Sequence, residues 1–333
     1  MMTIDFLRFP SPFDPEIDAY KDWLHLNIFD HNSGIVGLIN TSLHGSPLNM
    51  RSRAIGTALV HFPDVGWIGN MEICGINEAN LALSSIGLPK TAFATNPSTN
   101  MVYVAANLPD DLFSLEAVAF AITPPIEVNQ RIPFGPGWMS WHSVPILRVD
   151  GTLTFGALEL DLHDASAYHD HNWGRWHWGN DLGWEWGVFI SPGQGPTFIL
   201  TRITDREHIQ HTISRLVYQE GWYRKTFFES SIQVDFHGQL ETRLRRIPGP
   251  LAALHQDRIH PSLPAMVQIS ADDGENHVYI EFKSRAAAQV IAGDPIKRGY
   301  GFIQEIAGMF SAYGQVDETE IASSGLAVME YVN

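Results

Sequence analysis

Apolar positions along this chain recur at every second residue in short runs, and the runs stop at Gly, Pro, Asn or Asp. That alternation turns one side of an extended strand toward a core and the other away from it. It predicts strands at Gly34–Thr41, Ile55–His61, Met101–Ala106, Ala117–Ile122, Gly151–Phe155, Trp184–Ile190, Thr197–Thr204, Ile232–Phe236, Val278–Phe282 and Gly325–Tyr331. So many short strands between turn residues indicate an all-β protein built from sandwiches or barrels. Helical spacing is scarce. It predicts helices only over Pro15–Leu24, where Asp14 stands ready to cap a helix opening on proline, and over the alanine-rich Ser284–Ile291.

The chain has 333 residues, enough for two domains. The polar stretch Thr204–His211 follows a strong strand and precedes a new series of short ones. It places the boundary near residue 210, with domains at 1–210 and 211–333. The proline-rich Ile247–Pro250, with Pro261 and Pro264 beyond it, reads as a loop inside the second domain. Repeats of ~20–50 residues are not visible.

A composition of 44% hydrophobic and 17% charged residues excludes disorder as the main state. The net charge of −16 argues against nucleic acid as a partner. The small basic group Arg243, Arg245 and Arg246 reads as a solvated face. The single cysteine, Cys74, has no partner for an internal disulfide. No basic segment followed by an apolar core opens the sequence, and no run of ~18 apolar residues occurs. The expectation is a cytoplasmic protein. GPGWMSW lacks the spacing of a phosphate loop, so no nucleotide cofactor is expected.

The most unusual segment is Tyr168-His-Asp-His-Asn-Trp-Gly-Arg-Trp-His-Trp-Gly-Asn-Asp-Leu-Gly-Trp-Glu-Trp186, with five tryptophans and three histidines. Seven of the ten tryptophans in the chain lie between Trp138 and Trp186, which predicts one aromatic-lined cavity. If Ala167–Asn172 is extended, Tyr168, Asp170 and Asn172 share one face, and His169, His171 and Trp173 share the other. A carboxyl group facing an aromatic cavity loses hydration, and desolvation favours its protonated form. Asp170 is then either a poised proton donor or a buried acceptor that fastens a loop.

Other chemistries carry less support. His169, His171 and His177 contain the His-X-His spacing of a metal site, yet a third ligand at characteristic spacing is missing, so none is assigned. Cys74 sits in an apolar strand, and no Gly-X-Ser-X-Gly elbow occurs. Asp161, Asp164, Asp170, Asp181 and Glu185 offer candidate glycosidase carboxylates, but sequence does not set the ~5–9.5 Å separation such pairs need. Upstream, Pro133-Phe-Gly-Pro-Gly-Trp-Met-Ser-Trp-His-Ser-Val-Pro145 brings Trp138, Trp141 and His142 as possible walls of the same cavity. His142 would orient Asp170, hold a water or simply pack. Tryptophan faces would stabilise a cationic intermediate, by ~2 kcal/mol or more where desolvated.

The Tyr-His-Asp-His-Asn-Trp-Gly motif and Trp184-Glu-Trp-Gly187 resemble the carotenoid 1,2-hydratase (hydroxyneurosporene synthase) superfamily. Gly299-Tyr-Gly-Phe-Ile-Gln-Glu-Ile-Ala-Gly308 and Gly325-Leu-Ala-Val-Met-Glu-Tyr331 look like the last strands of its second domain. The resemblance implies two tandem lipocalin-like barrels and a hydratase, cyclase or Diels–Alderase acting on hydrophobic polyenes without an organic cofactor. It also implies that Tyr168 and Asp170 supply the acid that protonates an alkene, with Trp141 and His142 as the upstream contributors. The leading expectation is therefore an acid/base enzyme on an isoprenoid or polyene. Asp170, Tyr168, His142 and Asn172 would be catalytic, and Trp138, Trp141, His169, His171, Trp173, Trp176 and Trp186 would bind substrate. The rivals are a pericyclase and a non-catalytic carrier of a hydrophobic small molecule. Peripheral contact with a membrane would help any of these collect its ligand.

Overall fold

The computed structural model describes residues 6–11, 13–96, 98–108, 112–193, 195–241, 244–252, 262–294 and 299–333. Arg243 and Pro261 lie outside the described residues. The first sheet contains β1 (Tyr20–Asp30), β2 (Ile35–His44), β3 (Arg53–Phe62), β4 (Gly66–Gly75), β5 (Asn80–Ala82), β6 (Ser85–Gly87), β7 (Thr91–Asn96), β8 (Met101–Asn107), β9 (Ser114–Ala121), β10 (Ile126–Phe134), β11 (Gly137–Phe155), β12 (Leu158–Asp161) and β13 (Ala165–Arg175). The second contains β14 (Gly183–Ile190), β15 (Thr197–Thr204), β16 (His211–Glu220), β17 (Tyr223–Phe228), β18 (Ile232–His237), β19 (Arg245–Arg246), β20 (Met266–Asp272), β21 (His277–Asp294), β22 (Gly299–Val316) and β23 (Thr319–Val332).

Both sheets run as antiparallel meanders, in the orders β4-β3-β2-β1-β13-β11-β9-β8-β7-β6-β5 and β17-β16-β15-β14-β23-β22-β21-β20-β18. Each curls on itself: β7 packs across onto β2 and β3, and β16 onto β18. The protein is thus all-β, two tandem lipocalin-like barrel domains with only two 3-10 turns among the described residues. No described helix is long and apolar enough to cross a membrane.

All ten strands read from the alternation coincide with observed strands, Gly34–Thr41 and Ala117–Ile122 each overrunning by one residue, whereas the two helices do not form. Ile17–Ala19 makes a single 3-10 turn, and Tyr20 already begins β1. That strand lies between β2 and β13 and is buried on both faces. Leu24, Leu26 and Ile28 enter the first barrel, while Trp23 packs toward the second domain. Ser284–Ile291 lies inside the long strand β21. Its alanines favour a helix in isolation, but β22 pairs with them along their length, and Ala286, Ala288 and Val290 pack into the core between the domains. Small side chains let the two sheets approach there.

The sheets change over at 176–182, not near 210, because β14 and β15 belong to the second sheet. The polar Thr204–His211 closes the β15–β16 hairpin, where Asp205 accepts the backbone N–H groups of Ile209 and Gln210. The true linker holds Trp176 and Trp178 and therefore looks like core in the sequence. It is pinned by Lys21, whose buried ammonium donates to the carbonyls of Trp176 and Ala19. Gly299 and Gly301 lie against Trp178, where a Cβ on Gly301 would fall 2.8 Å from the indole. The glycines of the Gly-Tyr-Gly segment thus serve close packing on the linker.

Three apolar clusters result. One fills each barrel, and the third joins residues of both domains, among them Trp67, Trp141, Tyr168, Trp186, Val188 and Val290. Trp67 also donates its indole N–H to the Ala286 carbonyl across the interface, at 3.3 Å. A fully buried tryptophan contributes on the order of 4–6 kcal/mol of transfer free energy before entropy is counted. The interface therefore has the composition of a core rather than of a hinge.

Candidate active site

The period-two rule divides the motif strand β13 between two environments. Ala167, His169, His171 and Trp173 turn toward the first barrel; Tyr168, Asp170 and Asn172 turn toward the second domain. The cavity that Asp170 faces is consequently not inside a barrel but between the two. Its first-domain wall carries Trp23, His25, Asn40, Trp141, Asp170 and Asn172; its second-domain wall carries Thr201, Ile203, Val290, Glu305 and Glu330. Trp178, Trp184 and Trp186 span the gap. The cavity measures about 100 Å³.

Asp170 is 4% exposed. Asn172 donates its amide N–H to Asp170 Oδ1 at 2.7 Å. The Tyr168 hydroxyl and the Trp141 indole N–H also approach the carboxyl, close enough to favour its charge without completing well-aligned hydrogen bonds. Ser143, the cross-strand neighbour of Asp170, stands beside the Tyr168 hydroxyl. Burial outweighs these donors, and the Asp170 carboxyl is pushed up to about 7. Tyr168, fully buried against Trp186, is raised by the same desolvation and then by the Asp170 charge, so it remains a phenol.

His25 lies across β1 from Asp170. Its Nε2 is 2.8 Å from Asn27 Oδ1, and Asn40 Nδ2 is 3.3 Å from its Nδ1. That pattern suits the neutral imidazole protonated on Nε2, and burial lowers the His25 pKa in agreement. On the opposite wall Glu305 and Glu330 are cross-strand partners on β22 and β23. Glu330 accepts the Trp184 indole N–H at 2.8 Å. Desolvation and mutual repulsion raise Glu305 well above the usual carboxylate range; Glu330 is raised as well, chiefly by burial. The site therefore presents three carboxyl groups and one neutral imidazole within an aromatic enclosure. Perturbed groups of this kind mark acid/base sites.

Of the residues singled out in the sequence, Asp170, Asn172, Trp141 and Trp186 line the cavity, and Tyr168 supports Asp170 from behind. Trp176 is buried one layer back, edge-on to Trp23 at 5.1 Å and to Phe134 at 5.2 Å. Trp138 is not at the cavity; the Arg131 guanidinium lies over it at 4.8 Å. His142, His169, His171 and Trp173 occupy the other face. His142 meets Trp173 edge-on and lies 3.5 Å from Glu127; His171 Nε2 is 2.7 Å from Asp22 Oδ1; His169 Nδ1 is 2.8 Å from the His25 carbonyl. The sheet separates these groups from Asp170, so a proton path through His142 has no geometric support. The residues that sequence reasoning missed are His25, Trp23, Trp178, Trp184, Glu305 and Glu330. The available signal for the glutamates was a carboxylate set within an otherwise apolar strand in both Gly299–Gly308 and Gly325–Tyr331.

Gly174, which closes the motif, has its own structural reason. A Cβ there would fall 2.2 Å from the Trp138 carbonyl oxygen and 2.8 Å from Met139 Cα on β11. Gly174→Ala is expected to part β11 from β13 and cost about 1–3 kcal/mol, read as a lower urea midpoint with unchanged slope. An unchanged midpoint would show that the strands tolerate the methyl group.

No protein-family model matches the chain, and no curated protein sequence matches it. Solved structures do match. An AttH candidate from Nitrosomonas europaea aligns with a TM-score of 0.70 at 13% identity, covering 98% of this chain and 96% of that one. Kievitone hydratase from Nectria haematococca aligns with a TM-score of 0.61 at 12% identity, covering 98% and 94%. CghA, solved with Sch210972, aligns with a TM-score of 0.63 at 8% identity, covering 94% and 88%. At these identities the likeness is one of fold, over essentially the whole two-domain chain.

Proposed function

We propose that the protein is an acid/base enzyme of the hydratase or cyclase kind, in which Asp170 protonates a carbon–carbon double bond of a compact hydrophobic substrate. The observation that carries this reading is the buried Asp170 carboxyl group, tethered by Asn172 and held near neutrality, facing a cavity walled by tryptophans. A protonated carboxyl of that pKa is a competent general acid at neutral pH. The faces of Trp23, Trp141, Trp184 and Trp186 stabilise the positive charge that protonation creates. The size of the cavity favours a compact isoprenoid, or the end of a longer polyene, over an enclosed full-length carotenoid. A hydratase among the proteins of this fold supports the reading without fixing the reaction.

The test is a panel of small cyclic and acyclic isoprenoid alkenes incubated with the protein in deuterium oxide. The expected result is a product carrying one deuterium on carbon. Conversion without any carbon-bound deuterium would replace this mechanism with a pericyclic one. Recovery of every alkene unaltered, with tight binding, would make the protein a carrier.

A further inference from the structure

The second domain brings its own chemistry to the cavity. Glu305 and Glu330 face one another across β22 and β23, and both border the same space as Asp170. Glu305 is 4% exposed, and no protein atom satisfies its Oε2. Two carboxyl groups in contact cannot both ionise without a large cost, so such a pair holds a proton between its members. The surroundings decide which member keeps it. Glu330 accepts from the Trp184 indole N–H and faces His25 across the cavity, whereas no described donor reaches Glu305 Oε2 and the neighbouring Glu330 opposes a charge on Glu305. The proton therefore resides on Glu305, which donates it to Glu330, and Glu330 carries the negative charge.

We propose that Glu330, held as a carboxylate by Trp184 and the protonated Glu305, is the proton acceptor of the reaction, opposite the donor Asp170. This inference rests on the acid role of Asp170 and extends it. In the first step Asp170 gives its proton to one alkene carbon, the π electrons form the new C–H bond, and the other carbon becomes cationic. In the second step Glu330 takes a proton from a carbon next to the cation, and the electrons of that C–H bond close a new double bond. The net reaction moves a double bond with no change in composition; where a second double bond of the same substrate attacks the cation first, its π electrons form the ring bond and Glu330 takes the proton from beside the new cation. One proton has then left Asp170 and one has reached Glu330, and exchange through cavity water resets both. Where a water molecule lies against Glu330 instead, the same carboxylate removes the proton from that water as its oxygen attacks the cation, and the product is the alcohol. In either case the substrate is an alkene able to give a tertiary or allylic cation, and the base is on the second domain.

The arrangement makes the cavity a receptor for compact cations, which gives a test that needs no substrate. The probe is N,N-dimethylcyclohexylamine, which is protonated at about pH 5.5, where Asp170 also keeps its proton, compared with its neutral isostere isopropylcyclohexane, by calorimetry on the full chain. Wild-type protein is expected to prefer the ammonium by about tenfold or more. Glu330→Gln is expected to lose about tenfold of that preference, whereas Glu305→Gln, which still offers an N–H donor to Glu330, retains it. Asp170→Asn also retains it, because Asp170 is the neutral member. A preference unchanged in Glu330→Gln overturns the acceptor role and leaves the Asp170 reading intact. A preference lost in Asp170→Asn instead would show the charge on Asp170 and overturn both. Circular dichroism of each variant confirms that the comparison is between folded proteins.

Discussion

Asp170→Asn is expected to lower kcat by about 10²–10⁴ while the protein folds normally. Asparagine keeps the size of aspartate and its oxygen can still accept from Asn172, but it has no acidic proton to give. The wild-type activity should fall as pH rises through about 7, because the donor must be protonated and burial has pushed Asp170 up to about 7. Stability moves with it. An acid whose folded pKa is raised from 3.8 to about 7 contributes fully only below about pH 4, and that contribution is lost as pH rises through about 7. The difference amounts to an order of 4 kcal/mol. Since asparagine does not ionise, Asp170→Asn should melt above wild type at pH 8.5 and show no such gain at pH 4. Full turnover in the variant would sink the acid role. Equal melting temperatures at pH 8.5 would show that Asp170 is already relaxed as a carboxylate.

The proposed acid is thus a liability for stability at high pH. Strand alternation is local, so the faces of β13 were legible from Tyr168 to Trp173 before any tertiary contact was known. The same rule separates His142 from the site once β11 is seen to pair with β13. His142 opposes His171, and Trp141 opposes Asn172, so only the tryptophan shares a face with Asp170. Register between strands that are distant in sequence is not encoded locally. His25 is 145 positions from Asp170, and Glu330 is 160 positions beyond it, so neither was accessible to a scan of the motif. A lipocalin-like sheet can enclose space of its own. Here each barrel holds a core of aliphatic and aromatic side chains, and the open volume described lies where the two domains meet.

The passage from the first sheet to the second is hard to read in the sequence for a related reason. Polarity marks exposed linkers, and the 176–182 segment is not exposed. Trp176 and Trp178 are buried because the linker runs beneath both sheets, so hydrophobic content rose where the chain passed between domains. The helix expected over Ser284–Ile291 fell to the opposite effect: a propensity worth a few tenths of a kcal/mol per residue cannot compete with a full ladder to β22.

On the far face of β13, Asp22→Ala is expected to cause the largest loss of stability among single changes near the motif, about 3–5 kcal/mol. Asp22 is fully buried. It accepts from His171 Nε2 at 2.7 Å, from the Arg8 backbone N–H at 2.5 Å and, more weakly, from the Tyr20 hydroxyl at 3.5 Å. One carboxylate thereby ties β13 to β1 and holds the 6–11 segment against both. Truncation removes the anionic partner of a buried imidazole and strips the acceptor from two further donors, and burial leaves no route for water to replace it. Asp22→Asn retains an acceptor and should lose much less. The melting temperature should fall by about 2–4 °C for each kcal/mol lost, with a coupling to His171→Ala of at least about 1 kcal/mol in a double-mutant cycle. Because the sheet separates this cluster from the cavity, the ammonium preference of the folded variant should be unchanged. A loss below about 1 kcal/mol would mean that Asp22 and His171 are replaceable packing. A changed ammonium preference would mean that the two faces of β13 are coupled, and that the histidines belong to the working site after all.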